Sequence, residues 1–163
     1  MELLIVRHAI AVERGTPGIA DDDRPLTEDG EKKFRKMARG LARILAAPDV
    51  LLSSPLPRAH RTAEIAAEAW GGLRVIPTPA LAGGSFSDIA KVVAAQRAPT
   101  CVALFGHEPD VSEILARLLG TSHSDRVEFK KGAAALVETG GRLEGGGRLV
   151  WFLPPRVLRE LGA

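Results

Sequence analysis

The chain is poor in the residues on which one large class of binding protein depends. It has no tyrosine, and aromatic residues make up only 4% of its 163 residues, which leaves little material for the stacking platforms of single-strand nucleic-acid binders. Its 22 basic residues are nearly matched by 20 acidic ones, and they are scattered along the chain rather than gathered in a basic tail. We therefore expect no nucleic-acid partner.

The chain also lacks a second cysteine and any long hydrophobic segment. The single Cys101 excludes an internal disulfide, and its apolar neighbours predict a buried, unreactive thiol. The opening apolar run, residues 3–6, stops at Arg7. It is shorter than the roughly 7–15 residues of a signal-peptide core or the about 20 residues of a membrane span. A cytoplasmic protein with no membrane partner is expected.

What the chain does contain is a regular alternation of short apolar runs with amphipathic stretches. This alternation predicts an α/β fold with three layers, α/β/α, built on a mainly parallel sheet. The length fits a single domain, residues 1–163. The predicted strands are residues 3–6, 50–52, 73–76 and 102–105, and the predicted helices begin near Thr27, Pro57, Ser85 and Pro109.

The end of the chain departs from this alternation. Residues 133–138 and 149–153 flank a glycine-rich turn at 140–147, which predicts an antiparallel hairpin at one side of the sheet. A short terminal helix is expected after the two prolines that follow.

Three of the apolar runs end in residues suited to binding a phosphoryl group. Arg7 and His8 follow the first run, Arg58 comes shortly after the second, and His107 follows the fourth. Ligands of open α/β sheets lie outside the carboxyl ends of the strands, so these side chains can meet although they are far apart in sequence. The sequence therefore predicts a phosphate pocket at this edge of the sheet.

His8 is the candidate nucleophile of such a pocket. A neutral histidine can attack phosphorus through one ring nitrogen when a carbonyl or carboxylate holds the other N–H, and water later hydrolyses the phosphohistidine. Arg7 and Arg58 offer planar forks that each hold two phosphoryl oxygens. His107 is a fourth donor, placed just before a predicted helix whose N-terminal amides attract anions. Because positioning and electrostatics dominate phosphoryl transfer, these four residues can suffice without a metal.

Two neighbouring side chains are secondary candidates. Glu108 can serve as an acid or orient a water molecule, or it can be a solvated or capping carboxylate. Arg61 follows Arg58 by three residues, which places it near the same face of the predicted helix and within possible reach of a substrate.

A loop rich in glycine, proline and aspartate, residues 14–25, is a candidate lid over the pocket. Its acidic run, residues 21–23, would repel a phosphate dianion, so we expect it to be solvated. Arg24 is a further secondary candidate that can instead pair with these acids.

Three motifs occur in a specific order and spacing. They resemble those of the histidine phosphatase superfamily, also called phosphoglycerate mutase-like, over nearly the whole chain. The short length, the terminal hairpin and the stretch around Arg24 and Gly30 are similar to the SixA-like phosphohistidine phosphatases. The motifs are Arg7-His8-Ala9, Ser54-Pro55-Leu56-Pro57-Arg58-Ala59 with Thr62-Ala63, and Gly106-His107-Glu108-Pro109.

The resemblance implies a phosphoglycerate mutase-like fold in which His8 is phosphorylated and Arg7, Arg58 and His107 bind the phosphoryl group. It also implies that neither a metal nor an organic cofactor is needed. The chain departs from the family pattern in two places. Many relatives have glycine where Ala9 stands, and many larger members carry a glutamate in the loop after the third strand, where residues 80–84 are Ala-Leu-Ala-Gly-Gly.

The absence of that glutamate bears on the substrate. An alkyl phosphate must expel an alkoxide, and an acid that protonates it typically contributes about 10²–10⁴-fold in rate. The leaving imidazole of phosphohistidine can already carry a proton on its other nitrogen. The favoured function is therefore a phosphohistidine phosphatase acting on a phosphorylated protein, such as a histidine-containing phosphotransfer domain.

Two alternatives stay open at this point. One is a phosphatase for a small phosphorylated metabolite, with Glu108 or an acid of residues 21–23 as proton donor. The other is a non-catalytic module that binds phosphorylated ligands through Arg7, Arg58 and His107.

Overall fold

The structure, a computed structural model, describes residues 1–163. Six strands form one mixed sheet in the order β3-β2-β4-β1-β5-β6. The strands are β1 (Glu2–Arg7), β2 (Val50–Ser53), β3 (Val75–Pro77), β4 (Cys101–Gly106), β5 (Ala134–Thr139) and β6 (Gly147–Leu153). The helices are α1 (Glu28–Ile44), α2 (Pro57–Ala69), α3 (Phe86–Ala94), α4 (Asp110–Leu118) and α5 (Pro155–Leu161).

The central strands are buried on both faces of the sheet. Leu4 and Val6 of β1 pack with buried residues of α1, α2 and α5, whereas Leu3 and Ile5 pack with those of α3 and α4. Successive side chains of a strand point to opposite faces, so a continuous apolar run is what a strand covered on both sides requires. The three-layer α/β/α architecture predicted from the sequence is confirmed. None of the five helices combines the length and apolarity needed to cross a membrane.

The strand order brings together the carboxyl ends of the three strands that the candidate site residues follow. Strands β1, β2, β3 and β4 are parallel, while β5 and β6 form the predicted antiparallel hairpin beside β1. Arg7 at the end of β1 pairs with Gly106 at the end of β4, and Ser53 at the end of β2 pairs with Phe105. The carboxyl ends of β2, β4 and β1 are therefore adjacent, and the residues that follow them lie at one edge.

The helix starts follow local sequence signals. Thr27 precedes α1, and its hydroxyl accepts a hydrogen bond from the Gly30 amide at 2.9 Å. Ser85 and Asp88 form a reciprocal capping box at the start of α3. Pro57 is the first residue of α2, where its missing N–H has no partner to lose.

The third strand is shorter than predicted and begins later. Gly71 and Gly72 both have positive φ, about 90°, a conformation that glycine adopts without steric cost. They carry the chain through a turn in which the Leu73 amide still bonds to the Ala67 carbonyl of α2. Leu73 and the residue after it therefore belong to the turn, and pairing with β2 starts only at Val75.

Cys101 begins β4 and is 5% exposed. Burial raises the pKa of its thiol to about 12, and the nearby carboxylates of Glu2 and Asp49 act in the same direction. Because the thiolate is the reactive form, the thiol is unreactive at neutral pH.

Candidate active site

A cavity of about 270 Å³ lies where the ends of β1, β2 and β4 meet. No hydrophobic side chain lines it, and its five cationic side chains outnumber its two carboxylates. Such a surplus of positive charge in a concave site attracts anions. The lining residues are Arg7, His8, Glu13, Arg14, Arg24, Arg58, His107, Glu108 and Lys131. The structure thus brings together all four of the principal candidates.

The imidazole of His8 is held in one tautomer. Its Nδ1 lies 2.7 Å from the Ala9 carbonyl oxygen, which can only accept, so Nδ1 carries the proton and donates it. Burial lowers the pKa of His8 to about 3, and the neighbouring His107 and Arg58 also disfavour a charged ring. His8 is therefore neutral at pH 7, with a lone pair on Nε2. This is the arrangement that a nitrogen nucleophile requires.

A side chain of α2 fixes the backbone next to His8. The Ala9 amide donates to Thr62 Oγ1 at 3.0 Å, and the Thr62 hydroxyl donates to the Arg58 carbonyl at 2.6 Å. The end of β1 is thereby tied to the helix that carries Arg58. The backbone of Ala9, rather than its side chain, makes these contacts.

Arg7 ends β1, and its Nη1 donates to the Phe129 carbonyl at 2.5 Å. Burial lowers the pKa of Arg7, and the charges of Glu108 and Glu128 oppose this effect. The segment that follows Phe129 also contacts the backbone of Arg7, because the Gly132 amide donates to the Arg7 carbonyl at 3.2 Å. Gly132 has φ +84°, and a Cβ there would lie 2.7 Å from the sulfur of Met37. Only glycine fits this approach without displacement.

Arg58 is the second residue of α2 and is 5% exposed. Its Nη1 donates to the Asp21 carbonyl at 2.9 Å. Burial lowers the pKa of Arg58, and the positive charge of Arg24 adds to this effect. A guanidinium nevertheless stays charged in proteins, so Arg58 remains a fixed cation in the cavity.

The imidazole of His107 is hydrogen-bonded to Ser54, the first residue of the motif that contains Arg58. Its Nε2 lies 2.7 Å from the hydroxyl of Ser54, which is fully buried. Ser54 Oγ also accepts from the Leu56 amide at 3.2 Å, and its remaining lone pair and its proton are both available to the ring. When Nε2 accepts from the Ser54 hydroxyl, Nδ1 carries the ring proton and can donate to a ligand. Burial lowers the pKa of His107 to about 4, with Arg58 contributing next.

Three buried side-chain nitrogens of these residues have no hydrogen-bond partner within the protein. They are Arg7 Nε, Arg58 Nε and His107 Nδ1, three of the four buried side-chain nitrogens without a hydrogen-bond partner. Buried polar groups are nearly always hydrogen-bonded, so an orphaned set at one site calls for a ligand that accepts. A phosphoryl group, with several anionic oxygens, fits this set. Its position would be beside the rings of His8 and His107, whose centroids are 5.2 Å apart.

The loop of residues 14–25 lies against the cavity and is closed on itself by ion pairs. The Asp21 carboxylate contacts Arg24 at 2.8 Å and Arg14 at 3.0 Å. Arg24 also donates to the Val12 carbonyl at 2.8 Å. Arg24 therefore lines the cavity and pairs with the acidic run at the same time. Asp21 keeps its carboxylate partly exposed and turns its carbonyl to Arg58.

Arg61, a secondary candidate from the sequence, lies outside the cavity. Its guanidinium contacts Glu31 of α1 at 3.0 Å and Glu64 at 3.1 Å, and these contacts raise its pKa. The spacing from Arg58 indicated a shared side of α2, but the carboxylates of Glu31 on α1 and of Glu64 on α2 itself hold Arg61 away from the site. Its role is to join α1 to α2.

Glu108 lies in the cavity, whereas the loop of residues 80–84 contributes nothing to its lining. The Gly83 amide donates to the Asp110 carboxylate at 3.1 Å, and neither of these residues lines the cavity. The site therefore receives no acidic side chain from the loop after β3. No group of three or more potential metal-ligating side chains is arranged to hold a metal ion.

Four residues of the site were not singled out by the sequence reasoning: Glu13, Arg14, Ser54 and Lys131. Ser54 could have been found, because it directly follows β2 and opens the motif that contains Arg58. No sequence signal marked Lys131, because it lies in an irregular segment that is distant in sequence from the three strand ends.

Comparison with known proteins agrees with the geometry. The family model described as histidine phosphatase superfamily (branch 1) matches residues 3–110. An uncharacterized protein of Picosynechococcus sp. is 37% identical over 116 residues, covering 69% of this chain and 70% of that protein. The structure of the protein histidine phosphatase SixA complexed with tungstate has a TM-score of 0.82 and 25% identity, covering 97% of this chain and 99% of that one.

Phosphatases of small metabolites share the fold at lower identity. The alpha-ribazole phosphatase from Shigella flexneri has a TM-score of 0.73 and 16% identity, covering 95% of this chain and 97% of that one. This likeness concerns the phosphoglycerate mutase-like fold alone.

The fold, the site and these similarities define the chain as a phosphatase, a hydrolase that uses a histidine nucleophile. The chain belongs to the histidine phosphatase superfamily, and the SixA structures place it in the SixA-like branch.

Proposed function

We propose that the protein removes the phosphoryl group from a phosphohistidine carried by another protein, through a covalent phospho-His8 intermediate. The observation that carries the proposal is the tautomer of His8. Its Nδ1–H is held by the Ala9 carbonyl at 2.7 Å, and its free Nε2 shares a cavity with Arg7, Arg58 and His107.

In the first half-reaction, the lone pair of His8 Nε2 attacks phosphorus and forms a new P–N bond. The P–N bond to the substrate histidine breaks, and its electron pair returns to the substrate ring. When the other nitrogen of that ring is protonated, the ring leaves as neutral imidazole and needs no proton from the enzyme. Arg7, Arg58 and the Nδ1–H of His107 hold the phosphoryl oxygens during the transfer.

In the second half-reaction, water attacks the phosphorus of phospho-His8. The electron pair of the P–N bond returns to His8 Nε2. One proton of the water passes to a phosphoryl oxygen, and the product leaves as dihydrogen phosphate. The fixed cations serve both halves, because the same three equatorial oxygens carry the charge in each.

Two features of the cavity favour phosphohistidine over an alkyl phosphate. No acidic side chain enters from residues 80–84, and Oε1 of Glu108 already accepts hydrogen bonds from two protein groups. A site that receives no acid from the loop after β3 is suited to a leaving group that needs none. The similarity to SixA phosphohistidine phosphatases supports the same substrate class.

A small phosphorylated metabolite is the second candidate substrate. It is favoured by the position of Glu108, which directly follows His107 in the sequence. The Glu108 carboxylate lines the same cavity and could protonate a leaving group there. The third possibility, a non-catalytic phosphate-binding module, is disfavoured by the family and by the lone pair left free on His8.

The test is a substrate panel containing a phosphohistidine phosphotransfer protein, free phosphohistidine and sugar phosphates, with kcat/KM measured for each. The proposal predicts the highest value for the phosphohistidine protein. Faster turnover of a sugar phosphate would support the metabolite candidate. In that case Glu108→Gln should slow the sugar phosphate much more than phosphohistidine.

A further inference from the structure

A chain of hydrogen bonds links Glu108 to the phosphate-binding Arg7. Oε1 of Glu108 accepts from the Phe129 amide at 2.8 Å, and the Phe129 carbonyl accepts from Arg7 Nη1 at 2.5 Å. The Ser112 hydroxyl, on the first turns of α4, donates to the same Glu108 oxygen at 2.5 Å. Glu108 is thus held by a residue of α4 while it holds the segment that contacts Arg7.

Phe129, the residue that links Glu108 to Arg7, is anchored in the core. The Phe129 side chain is fully buried, and its ring packs edge-on against Phe152 with the centroids 4.7 Å apart. With the ring fixed in the core and the amide fixed by Glu108, the Phe129 carbonyl has little freedom to move. The guanidinium that bonds to this carbonyl is oriented by it.

We infer that Glu108 is a positioning residue that sets the guanidinium of Arg7, and that it is not the proton donor of the reaction. The inference rests on the phosphoryl-binding role proposed for Arg7. It couples two strand ends, since Glu108 follows His107 after β4 while Arg7 ends the neighbouring β1. One short segment then sets both His107 and, through Phe129, Arg7.

The two roles of Glu108 make opposite predictions for glutamine. Glu108→Gln keeps an Oε1 that can accept from both Phe129 and Ser112, but it has no acidic proton. A positioning role therefore survives this change, and a role as general acid does not. Glu108→Ala removes the acceptor and abolishes both roles.

The experiment measures tungstate binding by calorimetry and the hydrogen exchange of the Phe129 amide by NMR in the wild type and both variants. We expect Glu108→Gln to keep the amide protected and the tungstate Kd within about threefold of wild type. Glu108→Ala should lose the protection and weaken tungstate binding roughly tenfold, as the loss of an orienting hydrogen bond predicts. If Glu108→Ala does not fold, Glu108→Met provides the same loss of an acceptor with a side chain of similar length.

Wild-type tungstate affinity and amide protection in the variant without an acceptor would overturn the inference. So would equal loss of phosphohistidine turnover in the alanine and glutamine variants while both bind tungstate normally, since that result identifies an acid. Failure of the proposed function looks different. A wild-type protein that turns over no phosphohistidine contradicts that function, while the tungstate and exchange measurements still decide the role of Glu108.

Discussion

The hydroxyl of Ser54 lies 2.7 Å from Nε2 of His107 and determines which nitrogen of that ring can donate to a substrate. Both groups are buried, and the pKa of His107 is lowered to about 4, so the ring is neutral at pH 7. A neutral imidazole has a single N–H. When Nε2 accepts from Ser54, that N–H is on Nδ1, the nitrogen that has no partner within the protein.

Removing the Ser54 hydroxyl should release His107 from this tautomer. Ser54→Ala is expected to lower kcat/KM roughly tenfold, about the effect of one hydrogen bond. The matched control is Ser53→Ala, because Ser53 is equally buried but donates to the Ser54 carbonyl and not to the ring. Nitrogen-15 NMR of His107 should show proton exchange between the two ring nitrogens only in Ser54→Ala. Equal losses in both variants would contradict this assignment.

The pH dependence should reflect two histidines that resist protonation. Burial lowers the pKa of His8 to about 3 and that of His107 to about 4. Both rings are therefore neutral above about pH 5, and His8 gains a proton and loses its nucleophilic lone pair only as the pH falls through the lowered value. An NMR titration of the His8 ring is the direct measurement. A midpoint near 6.5 would show that the ring is not desolvated as the structure indicates.

Arg58 and Arg61 provide a matched pair on one helix. Arg58→Lys replaces a planar fork with a point charge in the cavity, and we expect kcat/KM to fall about 10²-fold, as for loss of one preorganised donor. Arg61→Lys should leave kcat/KM within about twofold, because Arg61 contacts Glu31 and Glu64 outside the site. Its effect on the free energy of unfolding should stay below about 1 kcal/mol, since the ion pairs are partly exposed. Similar catalytic losses in the two variants would contradict the placement of Arg61.

Much of this site could be predicted from the sequence, because apolar runs indicate where buried strands end and the carboxyl ends of parallel strands lie at one edge of the sheet. His8, Arg58 and His107 were found in this way. The position of Arg61 could not be predicted, since helical spacing gives a side of α2 but not the carboxylate that α1 places opposite it. The contact of Arg7 with the Phe129 carbonyl could not be predicted either, because every residue has a backbone carbonyl and the sequence does not indicate which one accepts.

Lys131 allows the electrostatic attraction of a substrate to be tested separately from the phosphoryl-transfer step. It lines the cavity, and its neighbour Lys130 does not. Lys131→Ala should lower kcat/KM for an anionic protein substrate about threefold at low ionic strength, and the loss should shrink as salt screens the charge. Lys130→Ala is the control of equal charge. The same loss in both variants, or a loss independent of salt, would argue for a general charge effect or a structural one.

The central claim is that His8 carries the phosphoryl group during turnover. The most direct measurement mixes the protein with a phosphohistidine protein, quenches within the first turnover without acid, and locates phosphate by mass spectrometry. The wild type should carry phosphate on His8, and His8→Ala should carry none there and release no inorganic phosphate. Turnover by the wild type with no phosphate on His8 at any quench time, or undiminished turnover by His8→Ala, would contradict the account.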